Sequence, residues 1–309
     1  MTNTSKSSAG HSRMGPAEPA ATPNAGGSNS VADPSLLEVL LRRDRFIVAA
    51  GLVVLIVAAW VWILLGVGTG MDAPTLTGMS QQQMASASDH GIGGMAMSVM
   101  TPAVWTPGYA ALIFSMWWIM MVAMMLPSAT PMLLLFARVN RKEKAGGRPY
   151  VPTAVFAAGY LVAWGGFSAF ATGFQWGLER LGLLSSMMVT TSIWLGGAIL
   201  IVAGAWQLTP IKNVCLRHCR SPLSFLANNW RPGRLGAFRM GLEHGAYCLG
   251  CCWFLMGLLF FGGIMNPYWI LGLAVFILIE KTIRMGQWLG WTAGVGLVVW
   301  GVMLLASAP

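Results

Sequence analysis

The run His244-Gly245-Ala246-Tyr247-Cys248-Leu249-Gly250-Cys251-Cys252-Trp253-Phe254-Leu255-Met256-Gly257-Leu258-Leu259-Phe260-Phe261 contains no charged residue, yet it carries three cysteines and a histidine. Its length and apolar content are those of a bilayer-crossing helix, which needs about 17 to 25 residues. Taking 100° per residue, Cys248, Cys251 and Cys252 fall about 40°, −20° and 80° around the helix from His244. Four soft ligand groups therefore share about a third of the circumference, and the rise from His244 to Cys252 is roughly 12 Å. One ion cannot take all of them, so a second helix must complete any metal shell.

The rest of the chain reads the same way. Of 309 residues, 56% are apolar and 9% charged, outside the range of soluble globular domains. Apolar runs at 46–67, 108–136, 152–176, 187–209, 239–263, 267–283 and 287–306 predict an all-α membrane protein. The expectation is a polytopic bundle of about seven transmembrane helices, multi-pass in the bacterial cytoplasmic (inner) membrane. Apart from Arg180, the lysines and arginines precede the first run or fall in the second–third, fourth–fifth and sixth–seventh loops. The positive-inside rule then puts the N-terminus in the cytoplasm and the C-terminus outside. The net charge of +9 is thus a topology signal that attracts membrane lipids, and no nucleic-acid partner is expected.

Residues 1–34, rich in Ser, Gly, Ala, Pro and Asn without apolar periodicity, are expected to be a disordered cytoplasmic tail. Residues 35–45 have Ser35 and Glu38 at capping-box spacing and an apolar face of Leu36, Leu37, Leu40 and Leu41. They predict an amphipathic interfacial helix leading into a transmembrane domain over 46–309. The outer loop 68–107 has no Lys or Arg and holds Met71, Met79, Met84, Met95, Met97 and Met100 beside Asp89 and His90. It reads either as a flexible linker or as a copper-collecting segment, because thioethers hold cuprous ions where thiols would oxidise.

The second run contains Pro127 and Pro131, which remove ladder bonds and predict a kink or break. On its faces Met116, Met120 and Met124 recur every fourth residue, and Met121 and Met125 share another stripe. Such spacing is first of all a routine packing pattern, and alternatively a thioether path for a soft ion. No carboxylate is expected deep in a span, since Glu179 and Glu280 fall at helix ends, which argues against a proton relay.

The second ligand stretch is Cys215-Leu216-Arg217-His218-Cys219, behind Thr209 and Pro210 as helix cap and first residue. Cys215, His218 and Cys219 at i, i+3 and i+4 share one face. With His244, Cys248, Cys251 and Cys252 they form the candidate metal ligands, on the expected cytoplasmic side where thiols stay reduced. Five cysteines cannot all pair as disulfides but can all ligate.

At these residues the chain resembles an uncharacterised bacterial family described as predicted metal-binding integral membrane proteins. The matching stretches are 123–132, Cys215 through Pro222, Gly241 through Trp253, Gly263 through Asn266, and Glu280-Lys281, within a core of about 105–285. The resemblance implies that Pro127, Cys215, His218, Cys219, His244, Cys248, Cys251 and Cys252 belong to that family's pattern.

The expected function is binding of a soft transition metal, foremost copper(I), for transport or for delivery to a metallochaperone or membrane-complex partner. Zinc and iron–sulfur are the alternative cofactors. The alternative functions are a membrane oxidoreductase subunit with a metal or thiol redox centre, and a structural accessory subunit stapled by zinc. No catalytic residue is assigned.

Overall fold

A computed structural model describes residues 36–66, 105–145, 151–184, 188–283 and 285–308. The tail expected over 1–34, and the Met-rich loop up to residue 104, lie outside the described residues. Within them the chain is helical: α1 (Leu36–Leu64), α2 (Pro107–Ala145), α3 (Thr153–Arg180), α4 (Ile193–Leu208), α5 (Pro210–Arg220), α6 (Pro222–Asn229), α7 (Gly233–Gly262), α8 (Pro267–Thr282) and α9 (Gly286–Ala306). A single bridge, Leu184 to Thr190, is the extended pairing among the described residues. The segment expected as a separate interfacial helix continues directly into the first apolar run as one helix, α1.

Among the described residues, five helices are long and apolar enough to cross a membrane: α1 over Phe46–Leu64, α2 over Pro107–Lys142, α3, α7 and α9. The other two apolar runs come out differently. The fourth becomes the 16-residue α4, which bends by 65° into α5, and the bent pair together is long and apolar enough for a broken span or a re-entrant loop. The sixth becomes α8, whose 16 residues reach about 24 Å at 1.5 Å each, short of a 30 Å hydrocarbon core. The α4–α5 bend follows from its sequence. Thr209 accepts from the Lys212 amide at 3.3 Å and Pro210 opens the new helix, so Pro210 cannot continue the α4 ladder.

The expected break in α2 is absent, and the helix runs 39 residues through Pro127 and Pro131. Two hydroxyls add bonds to its backbone there, Ser128 Oγ to the Met125 carbonyl at 2.8 Å and Thr130 Oγ1 to that of Leu126 at 3.0 Å, although neither reaches the Ala123 and Pro127 carbonyls that the prolines leave open. Packing by neighbouring helices lets proline sit inside such an apolar helix.

Small residues set the packing. A Cβ on Gly159 would meet the Phe238 carbonyl, and one on Gly241 the Phe156 carbonyl, so α3 and α7 touch backbone to backbone. Gly197 and Gly204 do the same for α4 against Gly294 and Gly301 of α9. Near the start of α2, Trp105 donates to Glu179 at 2.7 Å, Gln175 to Glu179 at 2.8 Å and Trp117 to Gln175 at 2.9 Å, which ties α2 to α3.

Glu280 does lie at a helix end, but it is buried, 2% exposed, in an ion pair with the equally buried Lys212. That pair couples α5 to α8, as does Arg220, which donates to the Ile283 carbonyl. This carboxylate acts as an internal strut, because α5 folds back over the end of α8.

Candidate metal centre

Helix α7 runs through the middle of the bundle, packed by α3, α4, α5 and α8. Its predicted stripe faces inward: His244, Cys248, Cys251 and Cys252 are each 3% exposed or less. All five cysteines are free.

Helix α5 lies alongside this stripe. Trp206 donates to the Gly250 carbonyl at 3.2 Å, which pins the end of α4 to α7 and aims α5 along it. Gly250 leaves room for the partner: a Cβ there would stand 3.0 Å from the sulfur of Cys215. One turn further, Cys219 brings its thiol into hydrogen-bonding contact with Cys248 and Cys251. Cys252 in turn contacts both of those thiols. Four sulfurs from two helices therefore form one cluster, while Cys215 sits half-buried at its margin.

His218, on the same face of α5, goes elsewhere. Its ring stacks flat on Tyr247 at 4.2 Å, and its Nδ1 bonds the Val214 carbonyl at 2.9 Å. His244 lies among the rings of Phe156, Tyr160 and Phe225, and its Nδ1 is buried with no hydrogen-bond partner. A buried imidazole nitrogen without a partner is costly unless something is to bind it.

Three further helices reach the cluster. From α3, the Tyr160 hydroxyl stands 3.2 Å from the Cys248 sulfur and donates to the Met125 carbonyl at 3.2 Å. From α2, the Met125 sulfur lies 3.8 Å from that of Cys252. From α8, the buried Lys281 donates from Nζ to Cys248 Sγ at 2.9 Å and to Ser128 Oγ at 3.5 Å. The sequence reading assigned no role to Lys281 or Tyr160. The paired charges Glu280-Lys281 at the end of an apolar run were the available signal for the lysine, whereas nothing local distinguishes the tyrosine.

The methionines of the possible path, Met116, Met120, Met124, Met121 and Met125, are all buried, at 2% exposure or less. From Met116 to Met125 the helix rises about 13.5 Å. Its inner stripe ends on the thiol cluster.

The expected shell of many ligands is not preassembled. Among the described residues, no three His, Cys, Asp or Glu side chains stand together in a geometry that could hold a metal ion. The cause is local: the Cys251 and Cys252 thiols donate back to the Cys248 carbonyl, at 3.0 and 2.9 Å, along the helix. Tetrahedral zinc or an iron–sulfur cluster requires about four such ligands at once. Copper(I) is satisfied by two or three soft donors, and thiolate and thioether sulfur are its preferred partners.

Residues 114–304 match the PpoB2 family, described as a copper chaperone. That match covers more than half of the chain, which therefore belongs to this family. It takes in every candidate cysteine and histidine and the whole methionine stripe of α2. No curated protein and no solved structure matches the chain.

Proposed function

We propose that this chain is a multi-pass protein of the bacterial cytoplasmic membrane that takes copper(I) from the thioethers of α2 onto the thiols of α5 and α7, and holds it for a metal-accepting partner. The observation that carries the reading is the meeting of Cys219 with Cys248 and Cys251, since a helix bent back by 65° delivers a thiol to a buried cysteine stripe. Membership in a copper chaperone family supports the choice of cargo.

In this reading Cys219, Cys248, Cys251 and Cys252 supply the holding sulfurs, with His244 as an additional donor through its partnerless Nδ1. Cys215 and His218 flank the cluster and form its exit toward a partner. Two of these thiols bind the ion as thiolates at a time, and Cys251 or Cys252 takes part by rotating away from the Cys248 carbonyl. With the N-terminus and the thiol cluster on the cytoplasmic side, a reading that the distribution of Lys and Arg between the loops supports, the site lies where thiols stay reduced.

The test is an anaerobic copper(I) titration of untagged protein in lipid nanodiscs against a competing chelator. Tight uptake of one ion per chain, lost in Cys219→Ser and Cys251→Ser, is expected. Equal affinity in wild type and both variants would overturn the reading.

A further inference from the structure

Lys281 is a buried ammonium, 7% exposed, within the group of thiols that would hold the cargo. Its nearest sulfur is Cys248 at 2.9 Å, and Cys219, Cys251 and Cys252 all lie within electrostatic reach. The other charges close by are Glu280 and Lys212, which are matched to each other in their own ion pair. The imidazole of His244 and the Tyr160 hydroxyl, 3.2 Å from the Cys248 sulfur, are further polar neighbours.

We infer that Lys281 is a fixed counter-charge that tunes the site for a monovalent ion, and so sets copper(I) apart from divalent metals. The inference rests on the proposed function above. Loading proceeds without a change of oxidation state: two S–H bonds break, two copper–sulfur bonds form, and two protons leave to solvent. The bis-thiolate copper(I) unit then carries −1, and the ammonium of Lys281 cancels it. An uncompensated charge in an apolar interior is heavily penalised, so the neutral sum is the favoured one.

The same two thiolates around a divalent ion are neutral by themselves, and Lys281 then adds an unmatched positive charge. A third thiolate would restore neutrality, but it would cost a further thiol its proton and its hydrogen bond to the Cys248 carbonyl, which a two-thiolate copper(I) unit spares. The lysine thus favours the monovalent cargo without touching it, as a positioning residue acting through charge. Ser128, 3.5 Å from Nζ, offers the ammonium a second hold when Cys248 turns to the metal.

The experiment compares wild type, Lys281→Met and Lys281→Arg as intact protein in nanodiscs, each checked for helical circular dichroism and monodisperse elution. Two probes are used: copper(I) by chelator competition, and cobalt(II) by its thiolate charge-transfer absorption. Lys281→Met is expected to lower the ratio of copper(I) to cobalt(II) affinity at least tenfold, and Lys281→Arg to restore it. Lys281→Gln replaces the methionine variant if that one does not fold. A ratio unchanged within threefold, or an arginine variant that behaves like the methionine one, overturns the inference while leaving the proposed function intact. Wild type that takes up no copper(I) overturns both.

Discussion

The sulfur of Cys252 on α7 lies 3.8 Å from the sulfur of Met125 on α2. This contact joins the two sulfur arrays of the molecule, the thioethers along α2 and the thiols shared by α5 and α7. A soft ion leaving a neutral thioether for a thiolate moves toward a stronger donor, so the contact has a direction built into its chemistry.

Replacing Met125 with Leu removes the thioether while conserving volume, a change that ordinarily costs less than about 1.5 kcal/mol of stability. Met125→Leu is therefore expected to melt within a few degrees of wild type yet to load copper(I) several-fold more slowly in stopped-flow transfer. Unchanged loading kinetics would mean that the α2 methionines serve packing alone.

Thiol accessibility should follow burial. Cys215 and Cys219 are half-buried, whereas Cys248, Cys251 and Cys252 are each 2% exposed or less. Brief treatment of the folded protein with a maleimide, read by peptide mass spectrometry, is expected to modify Cys215 first, because the Cys219 sulfur is enclosed among the α7 thiols. Prior loading with copper(I) should protect Cys219 more than Cys215. Rapid modification of Cys251 in folded protein would contradict the packing of α5 against α7.

The Lys212–Glu280 pair is buried on both sides, and breaking such a pair by removing one partner costs about 3–5 kcal/mol. Lys212→Met is expected to lower the unfolding midpoint sharply in detergent. The double variant Lys212→Met/Glu280→Gln should recover most of that loss, because no buried charge is then left unmatched. Losses that simply add would show the two side chains to act independently.

The α3–α7 contact can be tested at Gly241, where any Cβ would meet the Phe156 carbonyl. Gly241→Val should force the helices apart, at a cost of about 3 kcal/mol or more, given that overpacking typically costs 1–3 kcal/mol even where side chains can yield. Because Tyr160 reaches Cys248 across the same interface, copper(I) binding should weaken in parallel. A fully stable variant would mean that the interface is looser than drawn.

How much of this was legible in the sequence depended on whether the signal was local. The stripe of His244, Cys248, Cys251 and Cys252 was readable because helical periodicity alone decides which residues share a face. The bend at Thr209-Pro210 was likewise visible, since cap and proline are adjacent. The continuity of α2 was not, because a helix enclosed by packed neighbours can run through Pro127 and Pro131, and that packing is not local to the sequence. His218 was grouped with the cysteines by spacing, and only the fold places Tyr247 where its ring can stack on the imidazole. Lys281 and Tyr160 reach the cluster from separate helices, and no pattern within either one announces the meeting.

The most direct test of the central claim is copper K-edge X-ray absorption of the intact protein loaded with one equivalent of copper(I). The account predicts a first shell of two or three sulfurs at most, with sulfur lost from it in both Cys219→Ser and Cys248→Ser. A shell of nitrogen and oxygen, or a sulfur shell that neither substitution alters, would contradict it.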